Sequence, residues 1–373
     1  AVPLVSPEMN IPLVYSLDMQ LAGRVEHYSD FGGVAKPKIA IAWDIVDGLR
    51  VRGSYSEGFR APNLEQVNAT QYARLASGPD FTRCEADIRN GTIANMSECA
   101  RTASVSLLIA GNPELKPEES TNSSYGLVFQ PRFTPAAWGD FTFTVDRWKI
   151  EQTDIVGLLG AQSALALEYL NRVQGGTNPL VVRAAPNADD ELLFEGTGLA
   201  PVGQVTSISD QFINLLPQTV EGLDLSFNWR KRRTALGSFN FRVNASKLLE
   251  FSRAPGEIID SLYDAREQGI IDPLTPLPDS SQLIAQNGRP EWKVSANFTW
   301  NKGPWRVGLS TQYVSEIEQI SLLSSTGEPW IVGSQMVANA YGQYDFEEVN
   351  TTLRLGVRDL ADEGPSLADG GYR

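Results

Sequence analysis

Tyr15-Ser16-Leu17-Asp18-Met19-Gln20-Leu21-Ala22-Gly23-Arg24-Val25 reads at period two. Its odd positions hold Tyr, Leu, Met, Leu, Gly and Val. Its even positions hold Ser, Asp, Gln, Ala and Arg. Successive side chains of a strand point to opposite faces, so this stretch predicts a strand with one apolar and one polar face. The pattern recurs at Ile39, Ile41, Trp43 and Ile45 against Lys38, Ala40, Ala42 and Asp44. It recurs again at Leu49, Val51, Gly53 and Tyr55 against Arg50, Arg52, Ser54 and Ser56. Further copies run over 125–129, 141–150, 223–229, 239–245, 292–300, 305–313, 344–346 and 353–357, which makes eleven candidate strands. In 141–150 the apolar parity switches between Val145 and Trp148. That predicts a bulge near Asp146 and Arg147.

The connections alternate in length. Short ones fall at 46–48, 131–138, 231–237, 301–304 and 347–350, and long ones at about 60–120, 152–218, 248–290 and 314–342. Only the first outer connection, at 29–36, is modest. Long loops of this size are unusual in compact soluble domains. Short turns on one side and long loops on the other are the signature of an outer-membrane barrel. Trp43, Trp138, Trp229, Trp300 and Trp305 sit at or beside the short turns, where an aromatic girdle would lie. A soluble sandwich with core tryptophans is the plainer reading, and a mean hydropathy of −0.20 suits both. The alternation of loop lengths favours the barrel. Its polar positions, among them Arg50, Arg52, Asp224, Asn228, Arg242 and Asn244, then line a lumen, and its apolar positions face lipid. No strand edge can stay open in hydrocarbon, and bacterial single-chain barrels have even strand numbers, so eleven strands predict a fragment.

Composition narrows the classes. The 373 residues carry a formal net charge of −14 with a pI near 4.7, which argues against nucleic acid as a partner. A single histidine, His27, leaves no histidine triad or histidine-rich metal site. The two cysteines, Cys84 and Cys99, lie in a polar stretch and fit a disulfide in an oxidising compartment. No apolar run reaches the ~18 residues of a membrane helix. Residues 1–9 show no basic stretch followed by an apolar one, so an exported chain would have its leader elsewhere. No nucleophile–base arrangement, metal spacing or phosphate loop is present, so no enzyme is predicted and no cofactor is implied.

Five short motifs then converge. Tyr55-Ser56-Glu57-Gly58-Phe59-Arg60-Ala61-Pro62-Asn63 closely resembles the YS-x-GFRAP stretch of TonB-dependent outer-membrane receptors. Gly111-Asn112-Pro113-Glu114-Leu115-Lys116-Pro117-Glu118 resembles their GNPxLKPE segment, and Val220-Glu221-Gly222-Leu223-Asp224 their G-(L/I)-D strand start. Arg289-Pro290 with Trp292 is similar to a strand opening of the family. Leu355-Gly356-Val357-Arg358-Asp359-Leu360-Ala361-Asp362-Glu363 is similar to its near-terminal motif, with Arg358 and Ala361 where Asn and Phe are usual. The five stand in the family's order.

The resemblance implies an all-β fold: an antiparallel transmembrane barrel of 22 strands filled by an N-terminal plug. The whole chain, 1–373, then corresponds to a partial barrel of about eleven strands, with the plug and the final strand absent. It also implies a function, energy-coupled uptake of a scarce solute into the periplasm. The solute would be a siderophore complex, cobalamin, haem or an oligosaccharide. The implied partners are the TonB energy-coupling complex, reached through the plug, outer-membrane lipid, and the transported small molecule. The motif residues read first as structure: Pro62 ends a strand, and Arg60 contacting an anionic ligand is the lesser reading. A Cys84–Cys99 bridge would staple an outer loop that shapes ligand entry.

Residues 161–174 favour a helix, with Leu165, Tyr169 and Val173 spaced at i, i+4 and i+8, which could cap or gate the barrel mouth or simply pack on loop backbone. Tyr72, Phe81, Tyr169, Asn171, Tyr263 and Gln286 could suit a sugar or any polar organic solute. The acidic residues Asp189, Asp190, Glu191, Asp260, Asp264, Asp272 and Asp279 lack calcium-loop spacing and read as solvated acid. Two alternatives remain open. One is a passive porin-type channel; the other is a soluble secreted β-sheet binding protein.

Overall fold

A computed structural model describes residues 16–28, 32–132, 134–215, 217–254, 257–277, 282–323, 329–364 and 366. Asp279 of the acidic set lies outside the described residues. Eleven strands form one antiparallel sheet, at β1 (Ser16–Tyr28), β2 (Gly32–Val46), β3 (Leu49–Arg60), β6 (Glu118–Phe129), β7 (Asp140–Thr153), β12 (Gln218–Thr234), β13 (Gly237–Arg253), β14 (Trp292–Lys302), β15 (Trp305–Val314), β18 (Gln335–Phe346) and β19 (Thr351–Val357). Each pairs with its sequence neighbour in the sheet, so the topology is a plain meander. The sheet is open, with β1 and β19 at its edges. All eleven alternating stretches of the sequence fall on these strands, except that Tyr15, which opens the first, lies outside the described residues.

The alternation does what its period dictates. Leu17, Trp43, Val51, Leu127, Val145, Leu225, Ala245, Val294, Tyr313 and Met336 stand opposite one another in turn across ten strands. Residues paired across a ladder share a face, so this row makes one side of the sheet apolar. Many of its large side chains, among them Ile39, Ile41, Trp43, Leu127, Phe143 and Leu309, are exposed. Such an uncovered apolar surface demands a non-aqueous neighbour. The opposite side is polar and internally bonded. Arg52 donates two hydrogen bonds to Asp146, at 2.8 and 2.5 Å. The Ser246 hydroxyl donates to Asp224 at 2.6 Å, and that of Ser226 to Asn244 at 3.0 Å.

The bulge expected near Asp146 and Arg147 is absent. β7 pairs without a break through both residues on both of its edges. The irregularity lies one ladder away, where Glu221 faces Glu250 but Gly222 faces Leu248. The parity switch has another cause. Beyond Val145 the apolar band ends, and its face becomes charged: Arg147 pairs with Glu221, and Lys149 with Glu151. Trp148 and Ile150 therefore turn to the other side.

The indoles gather at the short-turn end. The Trp229 indole N–H donates to the Trp138 carbonyl at 2.8 Å, and that of Trp300 to the Leu236 carbonyl at 2.7 Å. Trp305 meets Tyr344 edge-on at 4.7 Å. The Trp229 and Trp300 indoles keep their polar tips bonded and their rings on the apolar side, as interfacial residues do.

The other strands and the helices all belong to the long connections. They are α1 (Leu64–Asn68), β4 (Tyr72–Pro79), α2 (Phe81–Arg89), β5 (Thr102–Ala110), β8 (Ile155–Gly157), α3 (Ala161–Val173), β9 (Val181–Arg183), α4 (Ala188–Phe194), β10 (Val205–Gln211), β11 (Ile213–Leu215), α5 (Glu257–Glu267), β16 (Ile317–Leu323) and β17 (Pro329–Val332). Strands β4-β5-β10-β9 make a second sheet, in which β10 runs parallel to β5. Among the described residues no helix is long and apolar enough to cross a membrane.

Candidate functional site

The large buried core of the described residues lies in these connections, not in the eleven-stranded sheet. Phe81, Met96, Ile109, Leu165, Tyr169, Ile208, Leu262 and Ile271 are all essentially inaccessible and pack together. They come from three separate connections, so the outer segments fold as one unit, here called the cap. The alternating run Thr102–Ala110 supplies its central strand, burying Val105, Leu107 and Ile109. Helix α3 supplies the inner face, burying Leu165, Ala166, Tyr169 and Leu170. Its start matches the sequence expectation, and Gln174 caps its end.

Buried charges tie the cap together. Arg183 on β9 spends all five of its donors. Its Nη1 bonds Asp80 Oδ2 at 2.9 Å and the Gly203 carbonyl at 2.9 Å, and its Nη2 bonds Asp80 Oδ1 and Glu168 Oε2, both at 2.7 Å. Its Nε bonds Glu168 Oε1 at 2.8 Å. Burial opposes the guanidinium charge, but the two carboxylates outweigh it and hold its pKa above the ordinary arginine value. Asp80 also caps the N-terminus of α2, through the Arg83 N–H. Arg83 in turn reaches Asp190 of α4 at 2.6 Å. Tyr169 donates to Glu85 at 2.6 Å and accepts from the Asp272 N–H at 3.1 Å. Burial first, and Glu85 second, push its phenol well above the usual tyrosine value, so it stays neutral.

Cys84 and Cys99 are disulfide-bonded, with Cα atoms 5.6 Å apart. The bridge fastens α2 to the 3-10 turn Met96–Glu98. A closed loop of this size is stabilised by about 3 kcal/mol in the chain-entropy model. Replacing both cysteines by alanine is therefore expected to raise amide hydrogen exchange over 81–99 about a hundredfold. Unchanged exchange would show that the bridge is energetically idle.

Two of the sequence motifs meet at the base of the cap. Tyr55, Gly58, Phe59 and Arg60 finish β3, and Ala61 and Pro62 lead out of it. Asn63 then caps α1 with a reciprocal pair of bonds to Gln66. Arg60 does not point to a free anion site: it donates to Glu118 at 2.6 Å, and the same carboxylate oxygen accepts the Val156 N–H at 2.8 Å. Gly111 packs so closely on α1 that a Cβ there would lie 2.6 Å from the Ala69 nitrogen. Asn112 donates to the Phe212 carbonyl at 2.9 Å, and Leu115 is buried. Asn214 bridges Lys116 and Asp154. Pro113 and Pro117 shape the intervening turn, where missing N–H groups cost nothing. Together these bonds clamp the cap to the rim of the sheet.

The remaining motif residues are spread along the sheet. Gly222 lies beneath Trp148, whose ring would sit 2.4 Å from any added Cβ, and Asp224 follows on the polar side. Gly356 and Val357 end β19, and the Leu360 N–H donates to the Ala338 carbonyl at 2.8 Å. Phe81 and Tyr169, entertained above as solute contacts, are sealed in the cap core and offer no surface to a ligand. Gln286 instead forms an isolated bridge with Glu318 of β16. Sequence reading passed over the wall at the outer ends of β7, β12 and β13: Trp148, Ile150, Val220 and Phe251 share the polar side with Gln152, Gln218 and Arg253. The parity switch at Val145 was the signal that pointed to it. Among the described residues no cluster of three or more His, Cys, Asp and Glu side chains could hold a metal ion.

An antiparallel meander, apolar and uncovered on one side and polar on the other, with indoles at the short-turn end and a folded cap at the other, defines an outer-membrane β-barrel wall. The chain belongs to the TonB dependent receptor-like, beta-barrel family, whose model matches residues 7–360. Its members are outer-membrane proteins. A curated relative, the probable TonB-dependent siderophore receptor PirA of Acinetobacter baumannii, is 28% identical over 160 residues, which is 43% of this chain and 19% of the relative. The solved siderophore receptor PirA from Acinetobacter baumannii superposes with a TM-score of 0.55 at 16% identity, over 94% of this chain and 40% of that one. A variant of the ferric enterobactin receptor PfeA of Pseudomonas aeruginosa gives 0.55 at 13% identity, over 95% and 39%. At these identities the two structures establish the fold. The chain spans about two fifths of their length, and the three proteins are named as receptors.

Proposed function

We propose that this chain is the lumen wall and outer cap of a TonB-dependent receptor that takes a ferric siderophore complex into the periplasm. The observation that carries the reading is the polar wall ending at a rigid, disulfide-bonded cap, within a chain matched by the family over residues 7–360. The relatives named as siderophore receptors support iron complexes as the solute class. In this reading the free edges of β1 and β19 pair with further strands of the receptor, since hydrocarbon tolerates no open edge. A plug inside that barrel couples it to the TonB complex. The motif residues of β3, α1 and 111–118 hold the cap at the mouth, and do not touch solute.

Accumulation of radioactive iron by cells producing the intact receptor tests this. Uptake of a ferric siderophore is expected with a working TonB complex and is expected to vanish without one. Equal uptake in both would establish a passive channel. Uptake of cobalamin or an oligosaccharide but of no ferric complex would keep the receptor and discard the solute.

A further inference from the structure

The short-turn end of the sheet carries one construction twice. The Trp229 indole N–H donates to the Trp138 carbonyl, and Gly139 follows with φ +84°. The Trp300 indole N–H donates to the Leu236 carbonyl, and Gly237 follows with φ +107°. Two residues beyond each indole, on the same side of its strand, stands a lysine: Lys231 on β12 and Lys302 on β14. The glycines clear space for these pairs. A Cβ on Gly139 would lie 3.0 Å from the Lys231 Cβ and 3.1 Å from the Trp229 Nε1. A Cβ on Gly237 would lie 3.0 Å from both the Lys302 Cβ and the Trp300 Nε1. Leu225, Phe227 and Trp229 lie on the apolar side, as do Val294, Phe298 and Trp300, so both lysines prolong that side past the indoles. Phe239 lies between them, opposite Lys231 on one edge and Trp300 on the other.

Two more cations sit at the tip of the same hairpin. The ladder between β12 and β13 breaks between Lys231 and Thr234, and Arg232 and Arg233 fall outside it, both exposed. Arg233 holds φ +53°, a left-handed conformation that glycine takes freely and arginine does not. The chain carries a net charge of −14, yet 229–238 and 300–306 contain no acidic residue. Arg230 reaches Asp140 at 3.7 Å, whereas Lys231, Arg232, Arg233 and Lys302 have no ion-pair partner among the described residues. The 46–48 turn is built otherwise: its Asp47 holds Arg132 at 3.1 Å.

Short turns of an outer-membrane barrel face the periplasm. Indoles there mark the headgroup level, and a lysine one step further out lays its stem along the apolar side with its ammonium among the phosphates. We propose that Lys231, Arg232, Arg233 and Lys302, beside the Trp229 and Trp300 indoles, form a binding site for an anionic phospholipid headgroup of the periplasmic leaflet. Charge complementarity calls for an anion, and the place of both lysines on the lipid-facing side selects a lipid phosphate. The site rests on that side facing lipid and is independent of the solute carried.

Quenching of a fluorophore on a single cysteine at Phe241 tests it. Phe241 lies on the apolar side between Trp229 and Phe298. The intact receptor is placed in phosphatidylcholine vesicles holding a small share of brominated phosphatidylglycerol or, in parallel, of brominated phosphatidylcholine. A cation near an anionic lipid surface contributes about fivefold, so two that reach the phosphate give phosphatidylglycerol a preference of about twentyfold beside this probe. Lys231→Gln and Lys302→Gln are each expected to lower the preference about fivefold. Glutamine at all four positions is expected to abolish it, and molar salt to shrink it. Lys231→Arg with Lys302→Arg is expected to keep it, which separates lost charge from lost fold. A second probe at Ile41, on the strand that ends at the Asp47 turn, is expected to show no preference. Equal quenching by the two lipids at Phe241, an equal preference at Ile41, or a preference that survives all four glutamines would overturn the site. Failure of both lipids to quench either probe would overturn the lipid-facing side itself. Cosedimentation with purified peptidoglycan that needs the four cations, with no lipid preference beside Phe241, would overturn the site in favour of the cell wall.

Discussion

Replacing Arg183 with alanine is expected to cost the cap about 3–5 kcal/mol, the penalty for breaking a buried ion pair from one side. Asp80 and Glu168 are almost wholly buried, at 5% and 0% side-chain exposure, and both lose their principal cation. Arg172 touches Glu168 only at 3.3 Å and cannot reach both carboxylates from its helix position. Three elements loosen at once, because Asp80 caps α2, Glu168 belongs to α3 and Arg183 to β9. Amide exchange over 81–89 and 161–173 of the intact receptor would rise at least a hundredfold, with the strand amides of the large sheet unchanged. Arg183→Lys should recover only part of the loss, since one ammonium cannot serve two carboxylates and a carbonyl in a fixed fork. Wild-type exchange in the alanine variant would show that the cluster holds nothing together.

Truncating Tyr169 to alanine is the second large effect, at about 3–5 kcal/mol for a fully buried aromatic. The ring lies 6.2 Å from that of Phe81, and its hydroxyl links Glu85 on α2 to the backbone at Asp272. Alanine removes both the volume and the link. Tyr169→Phe removes the link alone and leaves Glu85 and the Asp272 N–H to find water, so it should cost about 1–3 kcal/mol. Protease digestion of outer membranes measures both, through cleavage within 161–173. Equal resistance of all three proteins would contradict the packing described here. Either alanine variant is expected to impair solute binding indirectly, through the cap's shape, with the barrel still inserted.

The sheet was readable in the sequence because period-two alternation is a local property. Each row, such as that from Leu17 to Met336, needs only that every strand keep its parity. The cap was not readable. Its core joins Phe81, Leu165, Ile208 and Leu262, which no local pattern relates, and the parallel pairing of β10 with β5 spans about a hundred residues. Only α3 announced itself, through an Ala- and Leu-rich run at helical spacing. The motif stretches were recognisable as strings, but their role as a clamp needed Glu118, Asn112 and Asn214 to be seen together. The parity switch at Val145 was noticed and misassigned. A bulge and the end of an apolar band leave the same trace in sequence, and the unbroken ladder decides for the second.

The account stands on one side of the large sheet facing lipid and the other facing an aqueous lumen. Single cysteines carrying a fluorophore at Ile41 and Leu309 on the apolar side, and at Arg242 and Ser310 on the polar side, test it in the intact receptor in lipid vesicles. The native cysteines are paired and stay silent. The account predicts that a lipid-borne quencher dims the probes at Ile41 and Leu309 only, and that a water-soluble quencher dims those at Arg242 and Ser310 only. Dimming of all four by the water-soluble quencher alone would contradict it and leave a soluble β-sheet protein in its place.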